Sequence, residues 1–421
     1  MTMLSKPLQL GNFQSGLSPL GKLQQNKWME LTNCEIHDEV GIVTCQYAME
    51  SESTTPNEAC FSAIDPSGNI YAASKSTGKI WKRTTAGSWS LLHTNANTTG
   101  HRGIRYFNGY LFYWTATKLG YFDLVSTYSD SFATGTAFRE GIEANNALLI
   151  ANGRYLARVD SSNVFSANEF VAPAQFLTTC LKNIGDDVLI GTYISTDVAY
   201  CKAFLWDTVS PSWTYEDEVF EIGINCFVQL DNMYLAQCGT SGKFYYWTGA
   251  KFAYFTKIRG ITTALGEQMS TVYNGRPLFA NATKIYSIHR EDNSFGYAVA
   301  GEYTCTGTIA SIISQGENLL ASVGTGYDKK GTTFATAIIE SPEIQSQISH
   351  VKVLYDTYPE GIGIQTSVNG AAYVSQTEYT DTVKKEVSFN GGLVDGHTTQ
   401  VKLTLTPSGA SRPKVKSIIL Q

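Results

Sequence analysis

Seven short apolar pairs, each placed just after a polar turn and all but the last followed by a clear second apolar run, recur along the chain at nearly equal strides. They are centred on Tyr71, Leu111, Leu149, Leu189, Leu235, Leu278 and Leu320, at intervals of 40, 38, 40, 46, 43 and 42 residues. "NIYAAS" leads into "GKIWKR", "GYLFYW" into "KLGYFD", "DNMYLAQ" into "GKFYYW", and "GRPLFAN" into "KIYSIH". A period near 40 built from short strands and polar turns is the signature of radially stacked four-stranded blades. Each hairpin is apolar on both faces, so it stays in water only when neighbours cover both.

Flanking runs complete the unit. Upstream, "ACFSAI", "GIRYF", "NCFVQL", "STVY" and "IASII" read as the innermost strand of a blade. Downstream, "SWSLL", "SWTYE" and "AKFAYF" read as the outermost. The stride of 46 reflects the insertion "STDVAYC" in the fourth hairpin. No long stretch combines a 3.6-residue period with a capping box. The expected fold class is therefore all-β: a β-propeller of about seven four-stranded blades over residues 51–334, followed by a C-terminal antiparallel β-sandwich over 335–421.

The sandwich is expected because the rhythm changes near Phe334. "TAIIESP", "HVKVLYDTYP", "GIGIQTSVNG", "AAYVSQ", "KKEVSFNGG", "QVKLTLTPSG" and "KVKSIIL" are strand-like and closely spaced. Several alternate strictly, as at Val401, Leu403 and Leu405. "FNGG", Phe389 to Gly392, reads as a hairpin turn. Residues 1–50 also lie outside the repeat. They read as an extended arm, either a tether to a neighbouring subunit or a lead-in packed on its own propeller. The run "GIVTCQYAM" at its end is a candidate closing strand for the ring.

Composition narrows the function. Charged residues are 16% of the chain against a typical quarter. A charge-poor surface suits wide protein–protein contact, although many all-β proteins simply use fewer Lys and Glu. The formal net charge is −6, and Lys329-Lys330 and Lys384-Lys385 are too short to form a basic stripe, so sequence-specific nucleic-acid binding is not expected. No apolar run is long enough to span a bilayer. "MTMLSKPLQL" lacks the apolar core of a signal peptide, so cytoplasmic synthesis is expected. Cys34, Cys45, Cys60, Cys180, Cys201, Cys226, Cys238 and Cys305 form no C-x-x-C pair and mostly sit in apolar runs, the pattern of free buried thiols.

Constellations that carry chemistry are sparse. His37, His93, His101, His289, His350 and His397 form no ligand pair. Neither G-x-S-x-G nor a phosphate-binding loop is present; "STGKIW" holds Gly78-Lys79 but lacks the other required positions. "AIDPSGNIYAA" is only a loose analogue of a sialidase box. Asp65 and Asn69 there are expected to fix a turn, with Gly68 supplying positive φ. The close-spaced arginines Arg102, Arg105, Arg154 and Arg158 read as loop and strand-edge residues. The densest acidic run holds Glu216, Asp217, Glu218 and Glu221. It is the one candidate for a glycoside-hydrolysing carboxylate pair, but such a run is usually a solvated loop. Calcium at that loop, or at Asp186-Asp187, lacks the loop spacing. "YWTGAKFAYF" is either a sugar-stacking platform or blade core, and core is favoured. No catalytic, cofactor-binding or metal residues are assigned, and no cofactor is expected.

The two ends carry a resemblance. "NFQSGLSPLGKL…EIHDEVGIVTCQYAM", through Gly16, Leu17, Ser18 and Glu35-Ile36-His37-Asp38-Glu39-Val40-Gly41, resembles the opening of tail-associated structural proteins of tailed bacteriophages. The closing segment, with its turn from Tyr355 to Gly361 and its terminal "P-x-V/I-x-x-I" phrase, is similar to their C-terminal sandwich. The resemblance implies a non-enzymatic virion protein of the tail (nozzle, hub or collar), made in the host cytoplasm. It would assemble as several copies with neighbouring tail proteins through the arm and the sandwich. The alternatives are a propeller at the tail tip binding a receptor or host-surface glycan, and a glycoside-processing enzyme acting through Glu216 or Glu218.

Overall fold

Short apolar runs punctuated by Gly, Asn and Asp turns build strands throughout. The computed structural model describes residues 8–10, 28–36, 42–96, 100–290, 297–344, 348, 350–388 and 398–421. Among the described residues there is no α-helix, and a single 3-10 turn lies at Pro359–Gly361. The chain divides into two compact units. One comprises residues 51–283 and 305–329; the other comprises 1–50, 284–304 and 330–421.

The first unit is a β-propeller. Five four-stranded antiparallel blades follow in chain order, at 60–94, 103–134, 138–171, 177–219 and 224–257. A sixth is made of Ser311–Gln315, Asn318–Ser322 and Tyr327–Phe334, with Tyr47–Ser53 as its fourth strand. The first strands of successive blades pack side by side, and Ser311–Gln315 returns to Cys60–Ile64 to close the ring. Between the fifth and sixth blades, the hairpin Ser270–Tyr273 and Arg276–Asn281 takes its own place in that ring.

Each of the seven repeat anchors falls on the second strand of its hairpin, and each is buried. The burial is between blades, as the two-faced hairpins require. Phe61, Tyr71 and Ile80 of the first blade meet Ile104, Leu111 and Tyr113 of the second. Phe170 and Leu149 of the third meet Phe204 and Trp206 of the fourth. Tyr327 and Leu320 of the sixth meet Cys60 and Ile70 of the first.

Six blades are complete where the spacing predicts about seven. The difference lies at 270–304: the first hairpin belongs to the propeller, whereas Lys284–Arg290 and Tyr297–Thr304 group with the second unit. There Thr32 pairs in parallel with Gly301, a contact 269 positions apart that no repeat spacing encodes. The expected closing strand also shifts. Val43–Cys45 pairs with Lys414–Leu420, and the strand that completes the sixth blade is Tyr47–Ser53.

The second unit contains two sheets. One runs through Cys34–Glu35, Val43–Cys45, Lys414–Leu420, His350–Thr357, Lys384–Ser388 and Glu378–Thr380, with Leu8–Leu10 also paired to Lys414–Leu420. The other runs through Lys284–Arg290, Tyr297–Thr304, Glu30–Thr32, Ala337–Glu340, Thr399–Leu405, Ile362–Val368 and Val374–Ser375. A single buried cluster draws on both, from Leu10, Trp28 and Leu31 to Val353, Leu403 and Ile418. The unit is wider than the segment 335–421 expected from sequence, because strands from residues 8–45 and 284–304 are built into it. All seven strand-like runs of the tail form strands, and Glu378–Thr380 adds one more. The "FNGG" turn and most of the arm lie outside the described residues.

Candidate functional site

The propeller's first strands leave polar side chains where its apolar faces end, around the ring's centre. The third blade begins with Phe138–Ala144, whose register slips between Phe138 and Gly141. Such a bulge re-aims side chains. Glu140 lies within it, and the Leu181 N–H donates to its Oε2 at 3.0 Å. Beside it, Gly103 and Gly141 admit the buried Trp114 ring. A Cβ on Gly103 would lie 2.2 Å from Cζ2 of Trp114, and one on Gly141 2.7 Å from its Cη2. The indole Nε1 donates to the Arg139 carbonyl at 2.6 Å. The strand that carries Arg105 is thereby held against a rigid ring.

Around this wedge lies a recess lined by Phe61, Arg102, Arg105, Trp114, Glu140, Glu267 and Gln268. Arg105 also lines an adjoining cavity of about 510 Å³, together with Asp65, Tyr106, Glu143, Thr271 and Ser314. Gln268 ties the ring beside the recess. Its Oε1 accepts the Ser62 N–H at 2.6 Å and its carbonyl accepts the Ile312 N–H at 2.9 Å.

The electrostatics follow from partial burial of unlike charges. Burial pushes the Glu140 carboxyl up to about 7, against the opposing pull of the Arg105 cation and the Leu181 N–H. Burial also lowers Arg105, and it lowers Lys182 against the pull of Glu140. Lys75 falls to about 8 through burial; its Nζ donates to the Ala310 carbonyl at 2.6 Å and sits 4.0 Å from the Phe61 ring centre. A carboxyl titrating near neutrality beside a guanidinium is the kind of cluster that marks functional sites, although structural ion networks produce it as well.

The sequence candidates separate. Of the four arginines, Arg102 and Arg105 meet in the recess; they are not merely loop and strand-edge residues. Arg154 and Arg158 belong to the third strand of the third blade and its lead-in, with the Arg154 guanidinium 5.3 Å from the Tyr155 ring centre. Asp65 behaves as expected of a turn: its carboxylate accepts the Asn69 N–H at 2.9 Å, Asn69 Nδ2 at 2.8 Å and the Tyr71 hydroxyl at 3.0 Å, and Gly68 has φ 85°. Neither sequence pattern nor spacing singled out Glu140, Lys182 or Glu267.

The acidic run forms the outer strand Tyr215–Val219 and the residues just after it, not a loop. Glu216 takes Lys202 at 2.6 Å, Glu218 accepts the Tyr200 hydroxyl at 2.7 Å, and Asp217 accepts the Phe252 N–H. Glu221 pairs with Lys243 and accepts the Tyr245 hydroxyl at 3.0 Å. Asp186 lies in a hairpin turn and Asp187 opens the strand Asp187–Tyr193. No group of three or more metal-ligating side chains occurs among the described residues.

His93 bonds Asp130 at 2.8 Å, and His101, whose ring is pushed down to about 4 by burial, bonds the Ser74 carbonyl at 3.0 Å. His37 and His397 lie outside the described residues. All eight cysteines are free and buried. In "YWTGAKFAYF", Trp247 is buried against Phe252 and Tyr215, and Tyr254 is exposed.

No family model and no curated protein matches the chain. Solved structures do. Streptogramin B lyase aligns over 67% of this chain and 97% of its own, at 11% identity and a TM-score of 0.52. Virginiamycin B lyase from Staphylococcus aureus aligns over 68% and 98%, at 9% identity and a TM-score of 0.50. A chain of the mitotic checkpoint complex aligns over 65% and 90%, at 10% identity and a TM-score of 0.50. At such identities the likeness carries the fold alone. No helix among the described residues is long and apolar enough to cross a membrane.

Proposed function

We propose that the chain is a non-catalytic structural part of a tailed-phage virion, in the nozzle, hub or collar region of the tail, working in several copies. One observation carries the reading: strands from the described parts of the two end phrases, Val43–Cys45 and Lys414–Leu420, pair with each other, while Gly16 to Ser18 and His37 to Gly41 lie outside the described residues. Val43 pairs with Val415, and Thr44 Oγ1 donates to the Pro413 carbonyl at 2.7 Å. Leu8–Leu10, just ahead of the opening phrase, pairs with Ile418 to Leu420 of the closing one. A body assembled from both ends suits a part that presents head and tail together to a neighbour. The engagement of Glu216, Glu218 and Glu221 with Lys and Tyr partners weighs against the glycosidase reading.

The finer architecture belongs to the same proposal. The even stride through Leu278 supports a count of seven blades, and two sheets sharing one buried cluster support a sandwich. The test is to look for the chain by mass spectrometry in purified particles, and for rings of the purified full chain by native mass spectrometry. Presence in particles together with a defined oligomer is expected. A monomer at all concentrations that is absent from particles would refute the proposal.

A further inference from the structure

We propose that the recess and the adjoining cavity of the propeller bind a small, hydroxyl-rich anion through the guanidinium groups of Arg102 and Arg105. The inference goes beyond the virion reading and stands or falls apart from it.

The first support is the donor inventory. Arg105 is fixed by one bond, Nε to the Gly141 carbonyl at 2.8 Å. Its Nη groups have no hydrogen-bond partner among the described residues, and neither does the Arg102 side chain. A guanidinium is built for two parallel bonds to a carboxylate or phosphate. Arg105 is aimed in advance by its bond to the Gly141 carbonyl, so little ordering is lost on binding.

Charge balance is the second. Arg102 and Arg105 line the recess with Glu140 and Glu267, and Lys75 and Lys182 act on those two carboxylates from outside the lining, four cations to two carboxylates. This is a cationic spot in a chain of net charge −6. Glu143 and Asp65 add negative charge only at the outer cavity, where Asp65 is already occupied by Asn69 and Tyr71.

The third is size and lining. The two guanidiniums meet in the narrow recess, and the adjoining cavity of about 510 Å³, lined by Arg105 and not by Arg102, falls within the usual small-molecule range. Tyr106, Thr271 and Ser314 line it; the two hydroxyls bond each other at 3.2 Å and Ser314 Oγ donates to the Val272 carbonyl at 2.8 Å, which leaves their oxygens as acceptors. That lining fits a sugar frame. A sugar acid and a sugar phosphate share the required chemistry, an oxyanion on a polyhydroxylated body.

Isothermal titration of the full chain with glucuronate, glucose 6-phosphate and glucose tests this. At least one charged sugar is expected to bind and glucose to give no heat; the tighter charged sugar identifies the oxyanion. Arg105→Gln and the exposed Arg102→Gln should each weaken binding about 10-fold or more, and Arg158→Gln should leave it unchanged. If Arg105→Gln misfolds, Arg102→Gln decides. Failure of both charged sugars to bind at millimolar concentration, equal binding of glucose, or unweakened binding by Arg102→Gln would overturn the proposal.

Discussion

Glu140→Gln should make the protein more stable at alkaline pH and leave it unchanged at acid pH. The Glu140 carboxyl sits in a bulge beside Arg105 and Lys182, and burial raises it from 4.5 to about 7. Such a displacement corresponds to about 3 kcal/mol, and solvent in the open recess reduces it to about 1–2 kcal/mol. The sign follows from which state holds the proton. Below about pH 4.5 the carboxyl is protonated folded and unfolded, and there is no penalty. Between 4.5 and 7 the unfolded chain ionises first, so folding stability falls as pH rises. Above 7 the full penalty persists. Glutamine mimics the protonated acid and can still accept the Leu181 N–H. Urea unfolding followed by tryptophan fluorescence at pH 5 and pH 8 measures this, since Trp114 packs on Gly141 beside the substituted residue. A variant that gains nothing at pH 8, or gains equally at pH 5, would refute the electrostatic account.

Other perturbations have equally definite outcomes. Gly103→Ala places a methyl 2.2 Å from the Trp114 ring, which is pinned by its bond to Arg139; a loss of about 2–3 kcal/mol is expected in urea unfolding. Glu52 of the strand Tyr47–Ser53 holds the buried Arg83 of the first blade through two bonds. Glu52→Gln should cost about 2–3 kcal/mol by leaving that guanidinium poorly compensated, seen as a lower urea midpoint. Glu216→Gln and Glu218→Gln act on carboxylates 36% and 49% exposed; each should shift stability by under about 1 kcal/mol, and a larger loss would show that Lys202 depends on them.

Blade strands were legible because burial on both faces forces a local apolar pattern. Tyr71, Leu111 and Leu235 announce their strands without any knowledge of partners. The turn at Asp65 was legible for the same reason, its bonds reaching only to Asn69 and Tyr71. The site was not. Arg102 and Arg105 were visible only within a group of four arginines read as loop and strand-edge residues, and Glu140 reaches the recess through a register slip and Glu267 through a loop, neither of which leaves a periodic trace. The blade count and the extent of the second unit depended on pairings such as Thr32 with Gly301, decided by competition between distant edges. The acidic run misled because three consecutive carboxylates, Glu216 to Glu218, look like a solvated loop until Lys202 and Phe252 supply partners.

The strand Tyr47–Ser53 has a consequence for biosynthesis. It emerges from the ribosome before its partners: the three strands it completes, Ser311–Gln315, Asn318–Ser322 and Tyr327–Phe334, follow more than 250 residues later. Throughout that interval the nascent chain carries an unmatched edge that invites pairing with other nascent copies. Closure of that blade only after Phe334 has been made is a requirement written into the order of the strands.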